Sequence, residues 1–208
     1  MRFCFLVLLL MGVGAHGDEK VPGFESGLKI YQNQCASCHG EDGESRNVPL
    51  LQGQERRYLE SQLGRFRAGS RKDGTMDGEM NSVAEGLSDD QIRDVALYLS
   101  VSDPCEIASG IDPREEGFKE KFIAGRELYS KNNCMHCHAS FHHEAPRIMG
   151  QRKGVVRHAF GDFLSGTRKA PHMKEMLEKM NEDQLDQLAV YMSGMRLMRS
   201  CPENTENR

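Results

Sequence analysis

Beyond residue 13, no apolar run in this 208-residue sequence approaches the ~20 residues that a membrane-spanning helix requires. Neither sign of charge dominates. The formal net charge is -4, and no long block of one sign points to nucleic acid or to a polybasic membrane patch. No segment alternates apolar and polar residues as a half-buried strand does. Apolar residues make up only 38% of the chain, too few for a large core in small domains without a staple or a cofactor.

What apolar continuity there is lies at the start. Arg2 precedes an apolar run from Phe3 to Val13, and Ala15 and Gly17 place small residues before a cut at Asp18. That is the pattern of a secretory signal peptide over residues 1–17, so the expected mature protein is exported to the periplasm without a transmembrane segment. Of seven cysteines, Cys4 leaves with the signal, and Cys35, Cys38, Cys134 and Cys137 belong to two short motifs. The remainder, Cys105 and Cys201, is an even number in an exported chain and suggests a disulfide, with two free thiols as the alternative.

The chain is one unit written twice. Cys35-Ala36-Ser37-Cys38-His39 recurs 99 residues later as Cys134-Met135-His136-Cys137-His138. Val48 to Gln54 matches Ala145 to Gln151 at an offset of 97, and residues 87–100 match 180–193 at an offset of 93. A tandem duplication with shortened loops divides the chain into a first unit at 18–103, a linker at 104–117 and a second unit at 118–208. Each unit reads as helical. Ser88 and Asn181 are N-cap residues followed by acidic first turns, and Ile92, Val95, Ala96 and Leu99 form a helical stripe that Leu185, Leu188, Ala189 and Met192 repeat. Further helices are expected before each Cys-x-x-Cys-His and through residues 55–67 and 152–164.

Cys-x-x-Cys-His is the attachment signature of c-type heme: two thiols add to the porphyrin vinyl groups, and the adjoining His sits under the iron. A zinc site would use the same residue types, but neither unit offers a further Cys or His at zinc-ligand spacing. His39 and His138 are therefore the candidate proximal ligands, and two covalent heme c groups would supply the missing core. A thioether is the soft second ligand that favours reduced iron. Candidates are Met76 and Met80 in a loop of the first unit, and His172, Met173 and Met176 in a loop of the second. Register favours Met80 and Met173, each seven residues before the matched Leu87 and Met180. His142, His143 and His158 read as solvated surface residues.

The order Cys-x-x-Cys-His, Pro-x-x-x-Gly-Gln, Arg-rich loop, Met and Leu-Ser-Asp helix resembles class I cytochrome c. Its doubling resembles the cytochrome c4 family of diheme carriers, over nearly all of the chain after residue 17. The resemblance implies an all-α protein of two tandem class I cytochrome c domains related by a pseudo-twofold axis. It implies Met80 and Met173 as distal ligands, and Pro49 and Pro146 as carbonyl partners of the proximal imidazoles. Gly27 with Tyr98, and Gly125 with Tyr191, would mark the crossing of first and last helices. The implied function is single-electron transfer between redox proteins. Donors would be a membrane oxidoreductase or a periplasmic dehydrogenase, and acceptors a terminal oxidase or reductase. The propionates would make the surface more acidic, favouring a partner with a basic patch. Alternatives are a heme subunit of a flavocytochrome c sulfide dehydrogenase, or a diheme peroxidase or thiosulfate-oxidising enzyme, which would need an open axial position.

Overall fold

The computed structural model describes residues 21–40, 48–72, 78–102, 112–138 and 145–195. Residues 1–17, Met76, Cys105, His142, His143 and Cys201 lie outside the described residues. Among those described, the regular structure is helical and contains no strand, as expected. In the first unit α1 (Phe24–Ile30) runs through a π turn (Tyr31–Cys35) into α2 (Ala36–His39). The elements α3 (Arg56–Arg67), α4 (Glu79–Glu85) and α5 (Asp89–Val101) follow. The second unit repeats the order with α6 (Phe118–Lys131), α7 (Met135–His138), α8 (Lys153–Ser165), α9 (Pro171–Leu177) and α10 (Glu182–Gly194).

The last helix of each unit starts where its cap residues dictate. Ser88 Oγ accepts the Gln91 N–H at 3.2 Å while Gln91 Oε1 accepts the Ser88 N–H at 2.9 Å. Asn181 and Gln184 form the same reciprocal box at 2.9 and 3.0 Å, each box satisfying two otherwise orphaned donors. The apolar stripes of α5 and α10 are buried. Each forms the centre of its own core, with Leu59 and Ile30 in the first unit and Phe160, Phe163 and Leu177 in the second.

First and last helices cross at a glycine in both units, because nothing larger fits. A Cβ on Gly27 would lie 2.1 Å from the Asp94 carbonyl oxygen, and one on Gly125 would lie 2.0 Å from that of Gln187. Tyrosines close the crossing: Tyr98 meets Tyr31 in a tilted ring contact at 5.5 Å between centroids, and Tyr191 meets Tyr129 likewise at 5.3 Å. The Gly-Gln turns are also tied to the last helices. Gly53 (φ 68) donates its N–H to Leu99 O at 2.8 Å, and Gly150 (φ 77) donates to Met192 O at 2.7 Å. These bonds carry the segments containing Pro49 and Pro146 across the unit to the Cys-x-x-Cys-His turn.

The repeats differ by one residue just before that turn. Tyr31 stands four positions before Cys35, but Tyr129 stands five before Cys134. The first unit reaches its cysteine through the wide π turn; the second leaves α6 at Lys131 and spends the extra residue on Asn133 in the left-handed region (φ 51), which asparagine tolerates.

Gly125→Ala should destabilise the second unit by about 1–3 kcal/mol through overpacking against a backbone carbonyl. Gly161→Ala, at a helical site with open space around it, should instead stabilise by about 0.5–1 kcal/mol. Denaturant unfolding of the two variants would show opposite shifts. A second expectation concerns Asp186 of α10, whose carboxylate accepts from Lys121 of α6 at 2.8 Å and lies 3.1 Å from Lys153 Nζ of α8. Burial pushes its pKa up, but the two lysines outweigh that and hold it below the usual carboxylate value. The folded pKa is below the unfolded one, so the stabilisation is complete above about pH 4 and is lost as pH falls through the folded value. Asp186→Asn should cost about 1 kcal/mol at neutral pH, and the difference from the parent should vanish in acid.

Candidate functional site

Each Cys-x-x-Cys-His motif sits on a short helix that presents its histidine to a proline carbonyl. His39 Nδ1 is 2.7 Å from Pro49 O, and His138 Nδ1 is 2.8 Å from Pro146 O. A carbonyl only accepts, so Nδ1 carries the proton and the lone pair lies on Nε2, the tautomer a metal-ligating histidine needs. His138 is held neutral: burial lowers its pKa, the Pro146 hydrogen bond opposes this, and the Arg168 guanidinium lowers it further. His39 is buried.

None of the four motif cysteines is in a disulfide. Burial, then the neighbouring Cys38, pushes Cys35 up to about 11, and burial likewise raises Cys134. Among the described residues no cluster of three or more His, Cys, Asp or Glu side chains could hold a metal ion. Two thiols with an adjoining imidazole in each motif suit a cofactor that brings its own metal and reacts with the sulfurs.

The candidate distal ligands stand on helices, not in the loops expected from the sequence. Met80 is in the first turn of α4, which Gly78 opens in the left-handed conformation (φ 88). Met173 is in the first turn of α9, where Pro171 provides the helical φ at the first position. Both methionines are half-buried. Asn81, next to Met80, donates to Phe66 O at 2.7 Å and to Arg71 O at 2.9 Å, tying α4 to the end of α3. Met173 and Met176 pack against the second core, whereas His172 is exposed. His158 is half-buried rather than solvated, with Nε2 3.4 Å from Asp162 Oδ2 one turn along α8.

Contacts between the units involve residues to which no role could be assigned from the sequence. Gln54 donates to Arg147 O at 3.1 Å and accepts the Arg147 N–H at 2.7 Å. Gln151 donates to Leu50 O at 3.0 Å and accepts the Leu50 N–H at 2.8 Å. Gln54 and Gln151 are repeat equivalents at an offset of 97, as are Leu50 and Arg147, so the exchange is reciprocal. Nearby, Arg168 donates to Tyr58 Oη at 2.6 Å across the units. Arg168 stacks over Phe163 at 4.7 Å, and its equivalent Arg71 stacks over Phe66 at 4.4 Å. Burial and then the charge of Arg168 lower the Arg71 pKa, with Tyr58 and Asp162 opposing, so the two guanidiniums lie close together beside Tyr58. The signal for these groups was present, as polar residues repeated in both copies, but the copies' mutual placement was not.

The Cytochrome c family model matches residues 24–102, the first unit. Cytochrome c-552 of Acidithiobacillus ferridurans is 31% identical over 172 residues, covering 78% of this chain and 74% of that one. Cytochrome c4 of Azotobacter vinelandii is 27% identical over 208 residues, covering 91% and 98%. The solved structure of cytochrome c4 from Acidithiobacillus ferrooxidans superposes with a TM-score of 0.63 at 31% identity, covering 77% of this chain and 97% of that one.

Gln54→Ala and Gln151→Ala should each cost about 1–3 kcal/mol, since each leaves a backbone N–H and carbonyl of the other unit unsatisfied. The double variant should cost less than the sum, because either change loosens the same interface. Thermal unfolding of the four proteins checks this.

Proposed function

The chain belongs to the cytochrome c4 family of diheme cytochromes, and from that premise we propose which residues hold its two hemes and where it works. It is an electron carrier, not an enzyme, and its cofactors are two covalently bound heme c groups. In the proposed arrangement the thiols of Cys35 and Cys38 anchor one heme and those of Cys134 and Cys137 the other. His39 and His138 would bind iron through Nε2, and Met80 and Met173 would supply the second, thioether ligands. The hemes supply one-electron chemistry when bound; the chain supplies ligands, burial and docking. Pro49 and Pro146 fix the imidazole tautomer. Arg71 and Arg168, converging beside Tyr58, receive propionate carboxylates. With a histidine and a methionine bound, neither iron would offer a place for a substrate.

The observation that carries this reading is the repeated pairing of a motif histidine with a proline carbonyl, at 2.7 and 2.8 Å in the two units. The half-buried positions of Met80 and Met173 support the distal assignment. The chain exchanges electrons with other redox proteins, and no helix among the described residues is long and apolar enough to cross a membrane. We place it in the periplasm, exported by residues 1–17. Residues 18–103 and 118–208 serve as its domains and 104–117 as the linker. It accepts electrons from a membrane oxidoreductase or periplasmic dehydrogenase and passes them to a terminal oxidase or reductase. A Cys105–Cys201 disulfide would brace the pair.

Protein matured in a periplasm should carry two covalent hemes by mass. Met80→Ala and Met173→Ala should each remove about half of the near-infrared sulfur-to-iron charge-transfer band, lower one of the two midpoints, and open one reduced iron to carbon monoxide. A parent with fewer than two attached hemes, or with an iron that binds carbon monoxide at rest, would overturn the assignment.

A further inference from the structure

We propose that Arg152 is a positioning residue for the first heme: a buried cation lent by the second unit that holds the first heme's midpoint up, without a matching gift in return. The inference rests on the reading of His39 as an iron ligand.

Arg152 is the N-cap residue of α8 and is only 7% exposed. It belongs to the second unit, yet its guanidinium reaches into the first. One guanidinium nitrogen donates to Val48 O at 3.0 Å and another to Gly40 O at 3.3 Å. Gly40 follows His39, and Val48 precedes Pro49, whose carbonyl holds His39 Nδ1 at 2.7 Å. On the other side of Pro49, Leu50 is gripped through both its N–H and its carbonyl by Gln151. Two consecutive side chains of the second unit therefore hold the peptides flanking the carbonyl that orients the first proximal histidine.

The charge matters as well as the geometry. A guanidinium stays protonated in proteins. Away from water its field is weakly screened, and a positive charge near an iron site favours the form with one more electron. The exchange is not reciprocal. Ninety-seven residues earlier the equivalent position is Glu55, a carboxylate whose oxygen lies 3.8 Å from Arg147. From that position the first unit lends the second proximal segment no cation. Gln54 and Gln151 preserve the symmetry of the duplication, and Glu55 and Arg152 break it.

Redox titration of the holoprotein tests the proposal, with the two midpoints assigned by heme-methyl NMR of the partly reduced sample. Arg152→Gln should weaken reduction of the first heme about tenfold, equivalent to ~59 mV for one electron, and leave the second heme nearly unmoved. Arg152→Met, which keeps the length and packing of the side chain, should behave the same way, so the test does not depend on one neutral variant maturing. Arg152→Lys should restore most of the midpoint, which a purely steric role would not predict. An unmoved first heme in both neutral variants, equal shifts of both hemes, or a lysine variant as low as glutamine would overturn the proposal. Peptide mapping of the parent separates the two levels. An unmodified Cys35–His39 peptide would remove the His39 reading itself, whereas a normal heme there with an unshifted midpoint would remove only the role of Arg152.

Discussion

An imidazole N–H aimed at a proline carbonyl is the constraint around which each half of this protein is arranged. At 2.7 Å for His39 and 2.8 Å for His138 the bond fixes which ring nitrogen keeps its lone pair and how the ring is turned. The proline must arrive from elsewhere in the chain, ten residues on in the first unit and eight in the second. Much of the remaining architecture secures that arrival. The Gly-Gln turn is hydrogen-bonded to the last helix, and the last helix is locked against the first at a glycine where no Cβ fits. A loosened crossing at Gly27 would be felt at the histidine through this path.

Duplication set up a second layer of the same logic. In each unit the residue after the proline is held, through both of its backbone polar groups, by a glutamine from the other unit. A buried peptide unit left without partners costs more than a made bond contributes, so this exchange penalises separation as well as rewarding contact. Divergence then acted beside the shared exchange. The copies differ in the residue following that glutamine, Glu55 against Arg152, and in the step before the first cysteine, a π turn against a left-handed asparagine. Two carriers in series are useful when they differ, and charge placed next to a proximal loop is an economical way to make them differ.

Much is legible in the residues themselves, for physical reasons. The cap boxes at Ser88 and Asn181 are local, involving atoms three residues apart, and the stripes of α5 and α10 follow helical period, so both are readable without the fold. The motif cysteines and histidines are likewise a local chemical signature. The setting of Met80 and Met173 reads as loop in the sequence but is helical in the structure. The helices α4 and α9 are only seven residues each and are opened by a left-handed glycine and a proline, residues that also mark turns. His158 reads as a solvated surface residue in the sequence but is half-buried in the structure. Its partner Asp162 lies one turn along the same helix, so the pairing is local, but the burial of both comes from packing.

From composition, repeat and motif came the helical reading, the doubling and the two covalent hemes, because each depends on residue identity and short spacing; the electron-carrying role came from the family resemblance those motifs carry. Only the folded chain decided which polar repeats face each other. Gln54, Arg147, Gln151 and Arg152 find partners about a hundred positions away, in contacts that no periodicity encodes. The unequal electrostatics of the two sites therefore belong to the tertiary structure.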